Sequence, residues 1–308
     1  MALDWGYFRW LYEALHDEDD VDARRRFLSG ERRAVADHLA GLAPLRTRER
    51  IPAGGYTVDD EQLWLMLELY ALSRVSDHLI ALHGEVGVTG GRAVVEGGVG
   101  RIRTCPPAHA VHTEFFTAVG LTPFGHVEAF SPFHHEIVAV VQDPSATSVT
   151  VEEVLWPGFW FGDLLFSRAG VRVRAPRHLI DATVATTSVL YFTFRRGQRP
   201  TNDLSHGWGS QSQWRTSFPR FYSDEEGLHL NWDGEVDIGA DPPVPAGDGP
   251  DDDVPLDQRR ELLLHRCFVR GDPPRDADDR FPYVDRLSLT TAQWPLRPEA
   301  VTHVPWSR

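Results

Sequence analysis

The sequence predicts an α+β protein, with a helical N-terminal third followed by a mixed, sheet-containing body. Two patterns carry this. Apolar residues recur at helical spacing as far as about residue 84. Between residues 106 and 175 the pattern turns to short β-branched, alternating runs. No internal repeat of solenoid length is visible, so a stacked-repeat architecture is excluded.

The elements follow in order. DEDDVD, near residue 17, puts acids where the positive end of a helix dipole favours them, and Phe27, Val35, Leu39 and Leu42 continue the helix towards residue 45. Thr57 is a good N-cap, and EQLWLMLELYALSRVSDHLIALH runs to a C-capping Gly84. Its apolar residues cover most of the circumference, which predicts a central, buried helix. GEVGVTGGRAVVEGGVGRIR reads as glycine-punctuated strands or turns. HHEIVAVVQ, SVTVEEVLW and GVRVRA read as strands. PRHLIDATVATTSVLYFTFRRG combines a helix-starting Pro176 with a β-rich end, and leans to a helix that yields to a strand near Val189. ADPPVPAGDGPDDDVP reads as a loop, and LDQRRELLLHRCFV as one more element before a Pro-punctuated tail.

These divisions describe one α+β domain over 1–308: a helical subregion 1–88, a mixed body 89–240, an acidic loop 241–256 and a C-terminal segment 257–308. The loop does not divide independent domains, because the C-terminal segment is too short to fold alone.

Composition removes several function classes. Twelve acids and no arginine lie between Phe221 and Asp257, and this tract carries nearly all of the net charge of −14. Non-specific nucleic-acid binding needs clustered cations, so no nucleic-acid partner is expected. The chain contains no lysine, which excludes Schiff-base chemistry and a Walker-type phosphate loop. Cys105 and Cys267 cannot build a disulfide framework, which fits a reducing cytoplasm. No basic, apolar leader opens the sequence and no apolar run is long enough to cross a bilayer, so neither a signal peptide nor a membrane association is expected.

Two regions hold side chains suited to chemistry. His109, His112, His126, His134 and His135 crowd together with Glu114, Glu128 and Glu136. If HHEIV begins a strand, His134 and Glu136 share a face and His135 points to the other. A His-x-Glu pair on one face is a two-ligand platform for a divalent metal, Fe or Zn, with His206 from a glycine-flexed loop as the third ligand. The competing reading is that these are hydrogen-bonded structural histidines, since the H-E-x-x-H pattern is missing.

The second region is LSHGWGSQSQWRT. It lacks the G-x-S-x-G spacing of a nucleophile elbow. It does offer recognition chemistry: Ser210 and Ser212 as hydrogen-bonding hydroxyls, Arg215 as a fork for carboxylate or phosphate, and Trp208 and Trp214 as flat apolar walls. An Ω-loop anchored by its tryptophans is the bland alternative. In the interrupted run WFGDLLFSRAG, Asp163 and Arg168 read as a structural ion pair.

Together these features predict a small-molecule enzyme, metal-assisted and leaning to oxidoreductase, acting on a substrate with an acidic group. His135 or His126 is the expected proton-transfer group, because imidazole titrates near neutrality. The alternative is a non-catalytic ligand- or protein-binding protein that uses the Trp-rich loop. The sequence leaves the oligomeric state open.

Overall fold

The computed structural model describes residues 5–18, 20–49, 61–81, 106–125, 130–182, 185, 218–240, 255–265 and 284–290. The first described element, α1 (Tyr7–His16), lies inside the expected helical subregion 1–88 but is a separate helix before the one expected from residue 17. It forms because Phe8, Leu11, Tyr12 and Leu15 recur at i, i+3, i+4 and i+7 and are all buried on one face. The acidic run then does as expected. Asp20 caps α2 (Val21–Gly41), its carboxylate accepting from the Ala23 N–H at 2.6 Å. A short 3₁₀ turn, Ala43–Arg46, follows.

Helix α3 (Glu61–Ala81) is the predicted central helix, with Leu65 to Leu72 buried almost without interruption. It packs against α1 and against α4 (Pro106–Ala118), which also touches α2. The first described element of the region expected to be mixed is thus a helix. A proline at its start is tolerated because the first-turn N–H groups have no intrahelical partner in any case.

Among the described residues, ten strands then form two sheets. The larger has the order β1 (Thr122–Phe124), β4 (Gly158–Phe161), β5 (Leu164–Ser167), β7 (Tyr222–Asp224), β8 (Gly227–Leu230), β10 (Asp285–Leu289) and β9 (Val236–Asp237), antiparallel except for the β10–β9 pair. The smaller sheet is β2 (His135–Gln142), β6 (Ala169–Ala175) and β3 (Thr150–Trp156). In it, β2 runs parallel to β6 and β3 antiparallel. The three runs read as strands from their alternation are these three. Helix α5 (Leu256–His265) is the element expected from LDQRRELLLHRCFV.

The larger sheet is shared by two cores. Strand alternation sends Leu164 and Phe166 to the helices, where they meet Leu69, Phe115 and Phe116. Leu165 on the opposite face joins Phe133, Val171, Val173, Leu228 and Leu287 against the smaller sheet. The fold is therefore α+β, with helices, a large sheet and a small sheet in layers. Among the described residues no helix is long and apolar enough to cross a membrane. The glycine-punctuated run after Gly84, nearly all of the 183–217 stretch and most of the acidic loop lie outside the described residues.

Candidate functional site

The His-Glu cluster lies where the 130–134 segment feeds strand β2 beside β6, with His135 opposite Ala169 and Glu136 opposite Gly170. The strand begins at His135, and His134 belongs to the preceding turn. Strand alternation therefore sets the faces of His135 and Glu136, while the turn sets the place of the His134 ring. The turn is closed by the His134 and His135 N–H groups, both donating to the Ser131 carbonyl at 3.1 and 2.7 Å.

Ser131 organises both imidazoles. Its backbone N–H donates to His135 Nδ1 at 3.0 Å, and its hydroxyl lies 3.0 Å from His134 Nδ1. An imidazole nitrogen that accepts from a backbone N–H cannot carry a proton. Neutral His135 is thereby fixed with its proton on Nε2. That Nε2 is buried and has no hydrogen-bond partner among the described residues. A buried donor left without an acceptor costs on the order of 1–3 kcal/mol, so such a group is an exception that asks for a reason.

The surroundings keep the pair neutral. The His134 ring is boxed by Phe124, Phe133 and Trp160, with ring centroids 5.8, 4.9 and 5.7 Å away. His135 stacks on Phe130 at 5.9 Å. Burial, then the neighbouring His135 and Arg168, push the His134 pKa down to about 3. Burial alone pushes His135 down to about 4. Glu136 is also buried, at 4% exposure.

Arg168 does not pair with Asp163. Asp163 sits on the exposed β4–β5 turn, while Arg168 is buried, donates from Nε to the Pro132 carbonyl at 3.1 Å and lies over the Phe221 ring. The strand between them, β5, separates the two residues, and the ion pair expected from the sequence does not form. Arg168 instead braces the turn that holds the histidines.

Of the other sequence-derived site residues, His112 is fully buried in α4, 2.8 Å from the Ser76 hydroxyl and packed on Phe116, which gives it a structural place. His126, His206, Trp208, Ser210, Ser212, Trp214 and Arg215 lie outside the described residues.

The sequence reading missed a second cluster. Among the described residues, Asp224, Glu226 and His229 bring three ligand-type atoms within 4.8 Å of one another; His134, His135 and Glu136 do not converge as a trio. The cluster stands on the β7–β8 hairpin and is bound by Arg48, which pairs with Asp224 and, at 2.6 Å, with Glu226. Burial raises the Asp224 carboxyl, but hydrogen bonds from His229 and the Glu226 N–H, with the charge of Arg48, outweigh it and hold the carboxyl below its usual range. The guanidinium already supplies the counter-charge that a metal ion would bring. The only signal in the sequence was D-E-E-G-L-H, hidden in a tract that reads as bulk acidity.

No family model matches the chain, and no solved structure matches it. A segment of 45 residues is 51% identical to Protein GrpE 2 of Streptomyces avermitilis, covering 15% of this chain and 22% of that protein. The chain thus spans about a fifth of the length of the curated relative it matches.

Proposed function

We propose that the chain is a small-molecule enzyme whose centre is the Ser131–Glu136 turn. The observation that carries this reading is the buried, neutral His135, whose Nδ1 is occupied by a backbone N–H and whose Nε2–H has no partner among the described residues. Such a group donates a hydrogen bond to a substrate oxygen without becoming charged, and stabilises negative charge developing there. With Nδ1 turned to the Ser131 hydroxyl, His134 keeps Nε2 for a metal ion or a proton. In this reading His134, Glu136 and His206 are the ligands of a divalent Fe or Zn ion, which when bound supplies Lewis-acid or redox chemistry. His135 is no ligand, because its Nε2 carries the proton.

Ser210, Ser212 and Arg215 are proposed to hold the acidic group of the substrate, with Trp208 and Trp214 against its apolar part. His126 is the remaining proton-transfer group, and the leaning is to an oxidoreductase. Two cysteines without a framework support a cytoplasmic setting.

Metal analysis of the purified chain tests the reading. Stoichiometric Fe or Zn is expected, lost in His134→Ala while the cooperative melt survives. A folded, metal-free chain, or His134→Ala with full metal content, sinks the ligand assignment.

A further inference from the structure

On the far side of the larger sheet, three residues from three strands stand in line. Ser288 of β10 lies directly opposite His229 of β8 in the antiparallel register, its hydroxyl 3.0 Å from His229 Nδ1. The other ring nitrogen, His229 Nε2, lies 3.1 Å from Asp224 Oδ1 at the end of β7. The protonation pattern follows from the partners. The carboxylate only accepts, so Nε2 carries the proton and donates to it. Nδ1 is then a lone pair, and the Ser288 hydroxyl must be its donor. A serine whose proton is aimed at a neutral imidazole held by a carboxylate is the arrangement that activates an oxygen nucleophile.

The line is well fixed at one end and open at the other. His229 is buried at 4% exposure, with Trp232 edge-on to its ring at 5.4 Å. Asp224 is held by Arg48, whose guanidinium lies over Trp232, and it accepts from the Glu226 N–H at 2.9 Å. Ser288 is exposed. Arg286, two residues earlier on β10 and so on the same strand face, pairs with Asp237 at 3.1 Å. Its guanidinium puts positive charge on the serine's face of the strand, of the sign that an oxygen gaining charge needs.

We propose that Ser288, His229 and Asp224 form an acyl-transfer relay acting on small carboxylic esters, a site separate from the histidine turn and independent of the function proposed for it. Ser288 Oγ attacks the ester carbonyl while its proton moves to His229 Nδ1, and the carbonyl π pair goes to oxygen beside Arg286. Collapse of that oxyanion expels the alkoxide, which leaves as the alcohol with the proton from His229. Water then attacks the acyl-serine, again giving its proton to His229; the acid leaves, and Ser288 Oγ takes the proton back. Ester and water become acid and alcohol, and no other reactant is needed.

The test uses the full chain with p-nitrophenyl acetate and a fluorophosphonate probe, in the presence of EDTA. We expect hydrolysis above buffer background and covalent labelling located at Ser288 by mass spectrometry. Ser288→Ala, at an exposed position, should keep the fold and lose both. His229→Gln should lower the rate by on the order of 10²-fold or more, as loss of a general base does. The proposal is overturned if the wild-type chain hydrolyses no faster than Ser288→Ala, or if the label lands elsewhere. Hydrolysis that disappears in EDTA and returns with zinc also overturns it, in favour of a metal at Asp224, Glu226 and His229.

Discussion

His135 and His78 are imidazoles whose pKa values the fold holds at about 4, against 6.5 for the free side chain. Burial is the main cause for both. For His78, the Leu15 carbonyl pulls the other way, and the charges of His16, Arg24 and Arg74 add to burial. The consequence for stability has a definite sign. As pH falls below 6.5 the unfolded chain binds protons at these positions and the folded chain does not, until about 4. Stability contributed by neutral burial is complete above 6.5 and is lost progressively as pH drops towards 4. In metal-free protein each such histidine should add about 1.4 kcal/mol per pH unit to the slope of unfolding free energy across the middle of that window. Denaturant melts between pH 6 and 5 should show this slope, and His135→Gln should flatten it by about that amount. An unchanged slope would mean that His135 is not neutral by burial.

At the scale of elements, a single carboxylate joins three helices. Glu68 of α3 accepts from the Gly6 N–H at 2.5 Å and the Phe8 N–H at 3.4 Å, two donors at the start of α1, and lies 3.1 Å from His38 Nε2 of α2. The start of a helix has unsatisfied N–H groups, and a buried anion there is favoured by the dipole. Glu68→Ala strands these donors, so it should cost about 2–4 kcal/mol by chemical denaturation. A loss below 0.5 kcal/mol would show that water replaces the carboxylate. A second element test falls on Gly227, which opens β8 with φ of 143° and lies so close to the Leu289 carbonyl of β10 that a Cβ would collide with it. Gly227→Ala should cost roughly 1–3 kcal/mol, since both the backbone angle and the contact penalise a side chain. It should also reduce any labelling of Ser288, because that strand pairing aligns Ser288 with His229.

How legible these elements were depends on where their signal resides. Period-3.6 spacing announced α2 and α3, and alternation announced β2, β3 and β6, because each buries a face that its own residues define. Helix α1 is equally amphipathic, but its period runs over only ten residues, too few turns to stand out beside the longer helices. The turn at Ser131 could not be read. His134 stands in the turn before the strand because its N–H and that of His135 both donate to the Ser131 carbonyl, a closure that residue spacing does not announce. The Ser288, His229 and Asp224 line was invisible for another reason: its serine is 59 positions from its histidine, and only strand pairing brings them together.

Across the whole molecule, the larger sheet faces one core on each side, so its residues cannot lose order in one without disturbing the other. Leu164 and Leu165 are adjacent and both buried, one facing the helices and one facing the small sheet. Leu164→Ala and Leu165→Ala should each cost about 2–5 kcal/mol and still give a single cooperative transition. Two separated transitions, one for the helices and one for the small sheet, would show that the layers fold independently.

The proposed centre depends above all on the opposite hydrogen-bonding states of two neighbouring imidazoles, and nitrogen-15 NMR of the histidine rings reads those states directly. With assignments secured by His134→Gln and His135→Gln, metal-free protein at pH 7 should show both rings neutral. His135 should be protonated at Nε2 and His134 at Nδ1, and added zinc should move the Nε2 signal of His134 while leaving that of His135 as an N–H. A charged imidazolium at either position, a proton on Nδ1 of His135, or zinc acting on neither ring would contradict it.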